Sequence, residues 1–523
     1  MIQNSLTLCS RNGLKVPICI VGSGPVGISL ALSLEEKGIP STILEAGDSN
    51  ATKAFQDALI GQQVGITTDA LNTSRYRCIG GTSNYWHGES RPLNSSDFSS
   101  RPWIPNSGWP ISSEDLFPYW VQTARYLRLD PNLIQNHDNP DFTNTVNKGL
   151  NTTEFSTTIS QINPLNFRTS YYEHISQSSS INLIHSAIAT ELLTHKTTKA
   201  IMGVKVNCIN RGSMEVTSPI VILACGGIEN TRLLLNSKQQ TAHGLGNKFD
   251  VVGRYYMQHV HEEVSELLLS QKGKSVIDAF QAHKFGDSDI RVNLLLNQET
   301  CKNASICNSV LMFNDYYQGE NSPAFLQFRR LIGDVRNGRI PEDFTNSIAV
   351  VMANANKVLE TQFRRSLELD RIISKTLVGT YAEHAPNHQS RVTLTSGKDK
   401  FGMPRISLDL KMQEIDRRSV LESQKALARF LGSNGLGRIK IDASIQDKSW
   451  PKFLKAGSHQ LGGTRMHEDP RFGVVNSDCE VYGTKNLFIA GSSLFPTSGT
   501  SPPTIAAIAL GLRLADFIQL NHH

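Results

Sequence analysis

Residues 16–47 read VPICIVGSGPVGISLALSLEEKGIPSTILEAG, and this stretch decides the fold. Residues 16–21 form a short apolar, β-branched run, which predicts a buried strand. A helix with an apolar face follows and is predicted to end at Gly38. A second strand, residues 42–44, leads to Glu45. Strand, glycine turn, helix and strand in this order predict a Rossmann-like α/β domain with a parallel sheet.

The turn between strand and helix has the pattern G-x-G-x-x-G. Gly22 permits the tight turn, Gly24 lets the backbone approach a pyrophosphate, and Gly27 lets helix and strand pack closely. The helix N-terminus offers free N–H groups to phosphates. Glu45, 18 residues past Gly27, is placed to accept hydrogen bonds from a ribose. The pattern predicts a dinucleotide site; the alternative is a tight turn in an α/β domain that has lost its ligand.

Composition limits the class of protein. The chain has 523 residues, enough for two or more domains, and its net charge of only +5 argues against nucleic-acid binding. The eight cysteines show no CxxC spacing, so we expect neither a metal site nor a disulfide scaffold. We see no signal peptide and no apolar run near 18 residues, so we expect no membrane span and a cytoplasmic protein.

Two later strand–glycine–helix units resemble the first one. A buried strand over residues 219–224 leads into Cys225-Gly226, and a strand over residues 487–490 leads into Gly491-Ser492. Pro502-Pro503 then starts a helix predicted over residues 504–517. These units are predicted to aim further backbone donors at the same ligand. The donor-rich loop at residues 77–88, with its Gly-Gly pair, suits a second contact with phosphate or a polar ring edge.

Between these units the pattern changes to strands with helices on one face. Helices are predicted for residues 323–343 and 357–371, and for a segment capped by Ser112 or Ser113. Strands are predicted for residues 290–296 and 348–352, and hairpins for 204–209 with 213–217 (turn at Arg211-Gly212) and for 390–395 with 405–410. The pattern favours an α+β domain with an antiparallel sheet that faces the substrate.

Four blocks resemble the glucose–methanol–choline (GMC) oxidoreductases, a family of FAD-dependent alcohol oxidases and dehydrogenases. The blocks are residues 21–27 with Glu45, 77–93, 223–234 and 459–516. The second and fourth look closest to the sugar-oxidising branch that includes pyranose oxidase and fructose dehydrogenase. The resemblance implies a discontinuous FAD-binding domain (1–110, 180–260 and 445–523) and a substrate-binding domain with connecting segments (111–179 and 261–444).

The resemblance also implies which residues contact the cofactor. Turn glycines hold the pyrophosphate, Glu45 holds the ribose, and the loop after residue 79 lines the flavin. The backbone near Ala189 contacts adenine. The implied FAD-binding set is Gly22, Gly24, Gly27, Glu45, Ala46, Gly80, Gly81, Thr82, Ser83, Asn84, Trp86, Ala189, Cys225, Gly226, Gly491, Ser492, Pro503 and Thr504.

His459, in the block SHQLGGTRM, matches the active-site histidine of the family. An imidazole can take the hydroxyl proton of an alcohol at neutral pH while hydride leaves the carbon. Many members place a second His or Asn beside it. Here that position is Ser501 or Pro502, so the partner is left open. His87 and His467 are the competing histidines.

Two further features follow from the same comparison. Tyr85 stands where pyranose oxidase has the histidine that links FAD, so non-covalent FAD is expected. The predicted reaction is oxidation of a CH–OH group of a sugar, glycoside or polyol, with oxygen or another electron acceptor. The alternatives are ketone reduction or rearrangement by the same fold, an NAD(P)-linked dehydrogenase, and a non-catalytic flavin-binding protein.

Overall fold

The computed structural model describes residues 1–9, 13–138, 149–208, 212–239, 241–317, 319–320, 322–336, 343–367, 373–447, 450–451, 453–454 and 459–522. Strands are distributed over the whole of this part of the chain. They are β1 (Ile2–Asn4), β2 (Leu14–Lys15), β3 (Ile18–Val21), β4 (Ser41–Leu44), β5 (Gln62–Gln63), β6 (Thr67–Thr68), β7 (Glu89–Ser90), β8 (Phe155–Ile162), β9 (Ile181–His185), β10 (Ala187–Thr194), β11 (Ile201–Cys208), β12 (Ser213–Thr217), β13 (Ile220–Leu223), β14 (Val260–Leu269), β15 (Ala282–Phe285), β16 (Ser288–Leu296), β17 (Ser309–Tyr317), β18 (Ile373–Ala382), β19 (Arg391–Lys398), β20 (Pro404–Asp409), β21 (Gly437–Ile441), β22 (Phe453–Leu454) and β23 (Leu487–Ile489).

Helices connect and cover these strands. The α-helices are Pro25–Glu36, Lys53–Gln56, Ser95–Phe98, Phe117–Leu127, Pro131–Gln135, Phe167–Gln177, Gly227–Asn236, Gln271–Asp278, Gln298–Ala304, Pro323–Arg336, Phe344–Ala353, Ala355–Ser366, Glu414–Ser433 and Thr504–His522. Short 3₁₀ turns occur at Ser5–Thr7, Asp57–Leu59, Gly81–Tyr85, Ala443–Gln446 and Ser492–Leu494.

A parallel sheet forms the first layer of the fold. Its strand order is β1-β9-β4-β3-β13-β23, and every pair runs parallel. Strands β3, β4 and β13 are buried along their whole length, as their continuous apolar character predicted. Strands far apart in the chain therefore share one sheet. The prediction of a Rossmann-like domain that is discontinuous in sequence is confirmed.

A larger antiparallel sheet forms the second part. Its strand order is β21-β14-β18-β17-β16-β8-β7, and β15 pairs with β16. The helix Glu414–Ser433 packs on it through Leu427, Phe430 and Leu431, which share a buried cluster with Phe313 and other strand residues. The predicted antiparallel sheet with a helix on one face is confirmed.

Both predicted hairpins are present. β11 pairs antiparallel with β12, and β19 pairs antiparallel with β20. They belong to two smaller sheets, β10-β11-β12-β2 and β19-β20-β5. Gly212 has φ +87°, which suits a glycine turn, whereas Arg211 lies outside the described residues.

Two local predictions were wrong. Residues 348–352, predicted as a strand, lie in the helix Phe344–Ala353, where Val350 and Val351 pack against the small buried cluster around Phe325. A short apolar run fits a buried strand or a buried helix equally well, and here tertiary packing selects the helix. Neither Ser112 nor Ser113 caps the helix Phe117–Leu127. Its N-cap residue is Leu116, and Ser112 bonds Asp115 in the preceding turn.

The structure also contains a disulfide that the sequence did not signal. Cys9 and Cys208 are bonded, with Cα atoms 6.4 Å apart, and this ties the N-terminal segment to the end of β11. The two cysteines are 199 residues apart, so no short spacing pattern could reveal the pair. The expectation that the cysteines form no disulfide is corrected at this one pair.

The helix Thr504–His522 packs closely on the helix Pro25–Glu36. A Cβ added at Gly511 would lie 3.3 Å from Val26, so the glycine permits the close approach. By length and composition alone, the 18-residue window Thr504–Asn521, with mean hydropathy 1.3, could cross a membrane. It contains two charged residues, Arg513 and Asp516. These two charged residues interrupt the apolar run, and the expectation that the chain has no membrane span stays a prediction. In this structure 61% of that window is buried, as in a core helix.

Candidate active site

A deep cavity of about 650 Å³ opens at the carboxyl ends of the parallel strands. β3, β4, β13 and β23 all end at its edge, and the next residues line it. These lining residues are Gly22, Glu45, Cys225 and Gly491. Ligands of open parallel sheets bind at this edge because the loops there converge on one crevice. The turns found separately in the sequence thus form one site.

Most of the predicted cofactor residues line this cavity. They are Gly22, Gly24, Glu45, Ala46, Gly81, Thr82, Ser83, Trp86, Ala189, Cys225, Gly226, Gly491, Ser492, Pro503 and Thr504. Three others support the turns without lining the cavity. A Cβ at Gly27 would lie 2.0 Å from the Gly22 carbonyl oxygen, and one at Gly80 would lie 2.5 Å from Asn84 Oδ1. Asn84 Nδ2 donates to the Ile79 carbonyl at 2.7 Å.

The glycine turn leaves space where a pyrophosphate would bind. A Cβ added at Gly24 would have no other atom within 4 Å, and the neighbouring Gly81 lies close to the Gly24 Cα. Gly22 has φ +108°, and a Cβ there would lie 2.5 Å from the Ala224 carbonyl oxygen. The helix that begins at Pro25 therefore presents its N-terminal N–H groups across an open, side-chain-free surface. This surface fits the phosphates of FAD.

Glu45 is held rigidly at the cavity wall. Its carboxylate accepts hydrogen bonds from Ser23 N (3.1 Å), Ser23 Oγ (2.6 Å) and Gly47 N (2.7 Å). Burial raises the pKa of the carboxyl group, and these hydrogen bonds partly offset the shift. Further acceptor capacity at the cavity wall fits a ribose hydroxyl. The residues present are therefore compatible with the adenosine half of FAD.

The loop predicted to line the flavin is braced by aromatic contacts. Tyr85 stacks on Tyr76 with ring centroids 4.0 Å apart, and Trp86 Nε1 donates to the Leu165 carbonyl at 2.9 Å. Tyr85, Trp86 and His87 all line the cavity. Because Tyr85 occupies the predicted linking position, the expectation of non-covalent FAD stays a prediction that biochemistry can test.

His459 lies at the cavity wall in contact with a second histidine that the sequence did not single out. Its Nδ1 is 2.8 Å from Nδ1 of His259, and the ring planes are nearly perpendicular, at 89°. His259 precedes β14, is fully buried, and places its Nε2 3.1 Å from the Ser498 carbonyl oxygen. Burial lowers the pKa of His259 to about 4, although the bond to Ser498 opposes this, so the ring is neutral at pH 7.

Two further aromatic residues surround His459. His261 stacks on Tyr381 at 3.9 Å between ring centroids, and Tyr381 lies 6.3 Å from His459. Burial, followed by the nearby His259 and His261, moves the pKa of His459 well below its ordinary value. His459 is therefore a neutral base at physiological pH. The histidines at 259 and 261 lie 198–200 residues before it, so only the fold reveals the cluster.

The predicted partner positions behave differently from each other. Pro502 lines the cavity, whereas Ser501 does not, and its hydroxyl donates to the Pro92 carbonyl at 2.6 Å. The hydroxyl of Ser501 thus bonds the protein itself, and the choice between Ser501 and Pro502 as the partner of His459 stays a prediction. Among the competing histidines, His87 is exposed and lines the cavity. His467 does not line it; its Nδ1 accepts from Asp469 N at 3.0 Å.

The antiparallel sheet supplies the opposite wall of the cavity. Its polar side chains there are Ser160 of β8, His261 of β14, Asn293 of β16 and Tyr381 of β18. Its apolar side chains there are Val310 and Met312 of β17. Asn293 Nδ2 donates to Ser160 Oγ at 3.0 Å, and its Oδ1 has no partner among the described residues. Buried polar atoms are normally satisfied, so this amide oxygen is available to accept a hydrogen bond from a ligand in the cavity.

A buried arginine lies between the two walls. Arg91 Nη2 donates to Thr500 Oγ1 at 3.1 Å, whereas Nε and Nη1 have no partner within the described chain. Burial lowers the pKa of Arg91 to about 10, against the opposing effects of Asp97 and Glu89, so the side chain stays charged at pH 7. Glu89, at the same cavity, lies 3.6 Å from Arg291.

A largely buried charge cluster lies at the cavity. Glu229 pairs with Arg75 and Arg77, each at 2.7 Å, and with Arg232 at 3.2 Å. Burial alone would raise the pKa of Glu229, but the three guanidinium groups outweigh it and hold the pKa well below the usual range. No local sequence pattern predicts this cluster, because its members come from two distant segments.

Two stretches of the chain match known domain families. Residues 15–63 match the FAD binding domain, and residues 386–511 match the GMC oxidoreductase family. The first stretch contains the glycine turn and Glu45, and the second contains His459 and the loop before Thr504. Fold and site together define a flavoprotein oxidoreductase with a parallel-sheet cofactor domain and an antiparallel-sheet domain.

The chain resembles the GMC oxidoreductases over residues 386–511, and FAD is its cofactor. It is 25% identical to the fructose dehydrogenase large subunit of Gluconobacter japonicus over 317 residues, which cover 59% of this chain and 48% of that subunit. It is 21% identical to 2-methyl-1,2-propanediol dehydrogenase of Mycolicibacterium austroafricanum, over 97% of this chain and 95% of that enzyme. The match thus spans about half of the first relative and nearly all of the second.

Solved structures show the same fold. A formate oxidase structure superposes with a TM-score of 0.58 at 16% sequence identity, covering 98% of this chain and 99% of that one. The chain therefore shares its two-sheet fold with this formate oxidase over almost the whole length of both chains.

Proposed function

We propose that the protein oxidises a CH–OH group of a sugar, glycoside or polyol, with His459 as the base and hydride transfer to flavin N5. The observation that carries the proposal is the position of His459. It lies at the cavity wall between the cofactor turns and the antiparallel sheet, with Nδ1 engaged by His259. Relatives named for a sugar and for a diol support the substrate class.

The residues of this chain have defined tasks in that reaction. Bound FAD supplies the hydride acceptor. His459 takes the proton of the substrate hydroxyl, so that loss of hydride from the carbon gives a neutral carbonyl and not a protonated one. The lowered pKa of His459 keeps it neutral and ready to accept that proton at physiological pH. The Gly24 surface, Glu45 and the helix at Thr504 hold the cofactor against this group.

The polar wall of the cavity supports a polyhydroxylated substrate. Asn293 Oδ1 offers an acceptor, and Arg91 is a charged donor with two unpaired nitrogens. A sugar presents several hydroxyls, each able to donate and accept, and a site with buried polar groups rejects analogues that lack them. An unsubstituted aliphatic alcohol would leave these groups unpaired.

Three alternative functions compete with this proposal. Ser501 is directed away from the cavity, which leaves open the alternative of ketone reduction or rearrangement. An NAD(P)-linked dehydrogenase would use only the first glycine turn and would leave the GMC match at residues 386–511 without a role. A non-catalytic flavin-binding protein would not need the His459 and His259 pair.

The test is anaerobic mixing of the yellow enzyme with a panel of sugars, glycosides and polyols. We expect loss of the oxidised flavin absorbance with at least one polyhydroxylated compound and little with simple alcohols. If only a ketone or aldehyde, added to the reduced enzyme, restores the oxidised spectrum, reduction is the physiological direction. Reoxidation with oxygen or with artificial acceptors then identifies the electron acceptor.

A cytoplasmic location and the absence of a nucleic-acid partner remain proposals. The small net charge supports the second. The Cys9–Cys208 disulfide bears on the first, because disulfides are rare in reducing compartments. Thiol labelling of the protein from its native host, with and without reductant, tests whether the bond forms there.

A further inference from the structure

We propose that His259 is a positioning residue that fixes the proton of His459 on Nδ1 and thereby leaves Nε2 of His459 free to act as the base. The inference deepens the proposed function and rests on it. His259 lies 200 positions before His459, the histidine that the sequence indicates.

The Ser498 carbonyl determines which ring nitrogen of His259 carries hydrogen. A carbonyl oxygen can only accept, so Nε2 of His259, 3.1 Å away, must carry the hydrogen. A neutral imidazole has one N–H, so Nδ1 of His259 is then an acceptor. His259 is neutral because burial lowers its pKa to about 4. The direction of the first hydrogen bond thus fixes the direction of the next.

The second step concerns His459. Its Nδ1 lies 2.8 Å from the acceptor Nδ1 of His259, so it must carry the hydrogen and donate it. Nε2 of His459 is then unprotonated and makes no hydrogen bond to the described residues. In the opposite tautomer two lone pairs would face each other at Nδ1, which is repulsive. The Ser498 carbonyl therefore sets the protonation of a ring two hydrogen bonds away.

This arrangement also balances the proton in the reaction. The substrate hydroxyl proton moves to Nε2 of His459, and the hydrogen on Nδ1 stays in its bond to His259. The imidazolium so formed keeps its orientation because the perpendicular rings, at 89°, restrain each other. The charged and titratable groups around His259 are His459, Arg91 and Glu383, and around His459 they are His259 and His261.

The test compares two substitutions at one position. In His259→Asn the amide oxygen can replace Nδ1 as an acceptor, whereas His259→Leu removes the acceptor and keeps an apolar side chain. We expect His259→Leu to lower the rate of flavin reduction at saturating substrate by about 10²-fold, as misplacement of a catalytic group does. His259→Asn should recover most of that rate, and neither variant should lose FAD.

His137 offers a control. It is another buried histidine, and its Nδ1 lies 3.0 Å from the Ile134 carbonyl oxygen, but it does not line the cavity. His137→Leu should leave the pH profile of flavin reduction unchanged, whatever its effect on the melting temperature. A change in that profile for His259→Leu alone separates positioning of the base from general loss of packing.

A direct readout does not depend on activity. Nitrogen-15 chemical shifts of labelled histidines, assigned with His459→Ala, report which ring nitrogen of His459 carries hydrogen. We expect Nδ1 to be protonated in wild type and the two tautomers to mix in His259→Leu. A protonated Nε2 in wild type, or equal rate losses in the Leu and Asn variants, would overturn the inference. Normal flavin reduction by His459→Ala would instead remove the proposed function beneath it.

Discussion

Nδ1 of His259 lies 2.8 Å from Nδ1 of His459, although the two residues are 200 positions apart in the chain. His259 immediately precedes β14 of the antiparallel sheet, and His459 lies in the segment that returns to the parallel sheet. The contact joins the two parts of the protein at the cavity.

His459→Ala should retain FAD but lose most of its rate of flavin reduction. General-base catalysis is worth about 10²–10⁴-fold, and no other described side chain at the cavity replaces this imidazole in contact with His259. Stopped-flow reduction without oxygen measures the loss. His467→Ala is the matched control, because His467 belongs to the same segment but does not line the cavity. A near wild-type rate in His459→Ala would exclude it as the base.

The pH dependence of flavin reduction should report the lowered pKa of His459. Burial, His259 and His261 all favour the neutral ring, so the base is unprotonated over the neutral range. The rate should therefore stay level near pH 7 and fall only below the ordinary histidine pKa of about 6.5. A fall centred at or above that pH would contradict the burial argument.

Gly24→Val should fold but fail to bind FAD. A Cβ at Gly24 has no atom within 4 Å, so the side chain causes no clash in the protein itself. It would fill the surface that the pyrophosphate needs. Flavin content after purification and circular dichroism give the two readouts. Gly432→Val is the control, since Gly432 is equally unobstructed but lies on an exposed helix away from the cavity. Full flavin content in Gly24→Val would show that the phosphates bind elsewhere.

FAD should be released when the protein is denatured with acid. Tyr85 occupies the position of the linking histidine, so the imidazole that forms the link in pyranose oxidase is absent there. The measurement is flavin absorbance in the supernatant against the precipitate. His87 lines the same cavity, so His87→Ala should show the same release as wild type. Flavin that stays with the precipitated wild type but not with His87→Ala would identify His87 as a covalent link.

Glu229→Gln should destabilise the protein strongly. It leaves Arg75, Arg77 and Arg232 without their shared carboxylate, and breaking a buried ion pair costs about 3–5 kcal/mol. Because the pKa of Glu229 is lowered, this stabilisation is present at neutral pH and is lost as the pH falls through the acid range. Denaturant unfolding measures it. Glu360→Gln breaks an exposed pair with Arg364 and should cost less than about 1 kcal/mol.

Asn293→Leu should weaken substrate use without affecting FAD. The substitution removes a buried amide whose Oδ1 has no hydrogen-bond partner among the described residues. We expect kcat/KM to fall by the equivalent of about 1–3 kcal/mol. Asn314→Leu on the neighbouring strand is the control, because Asn314 bonds Glu263 and does not line the cavity. Equal kinetics in Asn293→Leu and wild type would place the substrate away from this wall.

The sequence by itself determined the cofactor half of the protein. The turn at Gly22, the acid at Glu45 and the later glycine units are local patterns, in which a few adjacent residues fix both backbone and contact. Such patterns survive without knowledge of the rest of the chain. For this reason the parallel sheet, the two hairpins and many of the residues that line the cavity could be predicted.

Only the tertiary structure decided the catalytic surroundings. His259 meets His459, Ser501 bonds Pro92, and Cys9 joins Cys208 through contacts between segments separated by 199 to 409 residues. The helix Phe344–Ala353 was likewise selected by packing around Phe325 and not by its own apolar run. Each of these contacts depends on where distant segments meet. Packing of the whole core determines those meeting points, so no local sequence pattern can predict them.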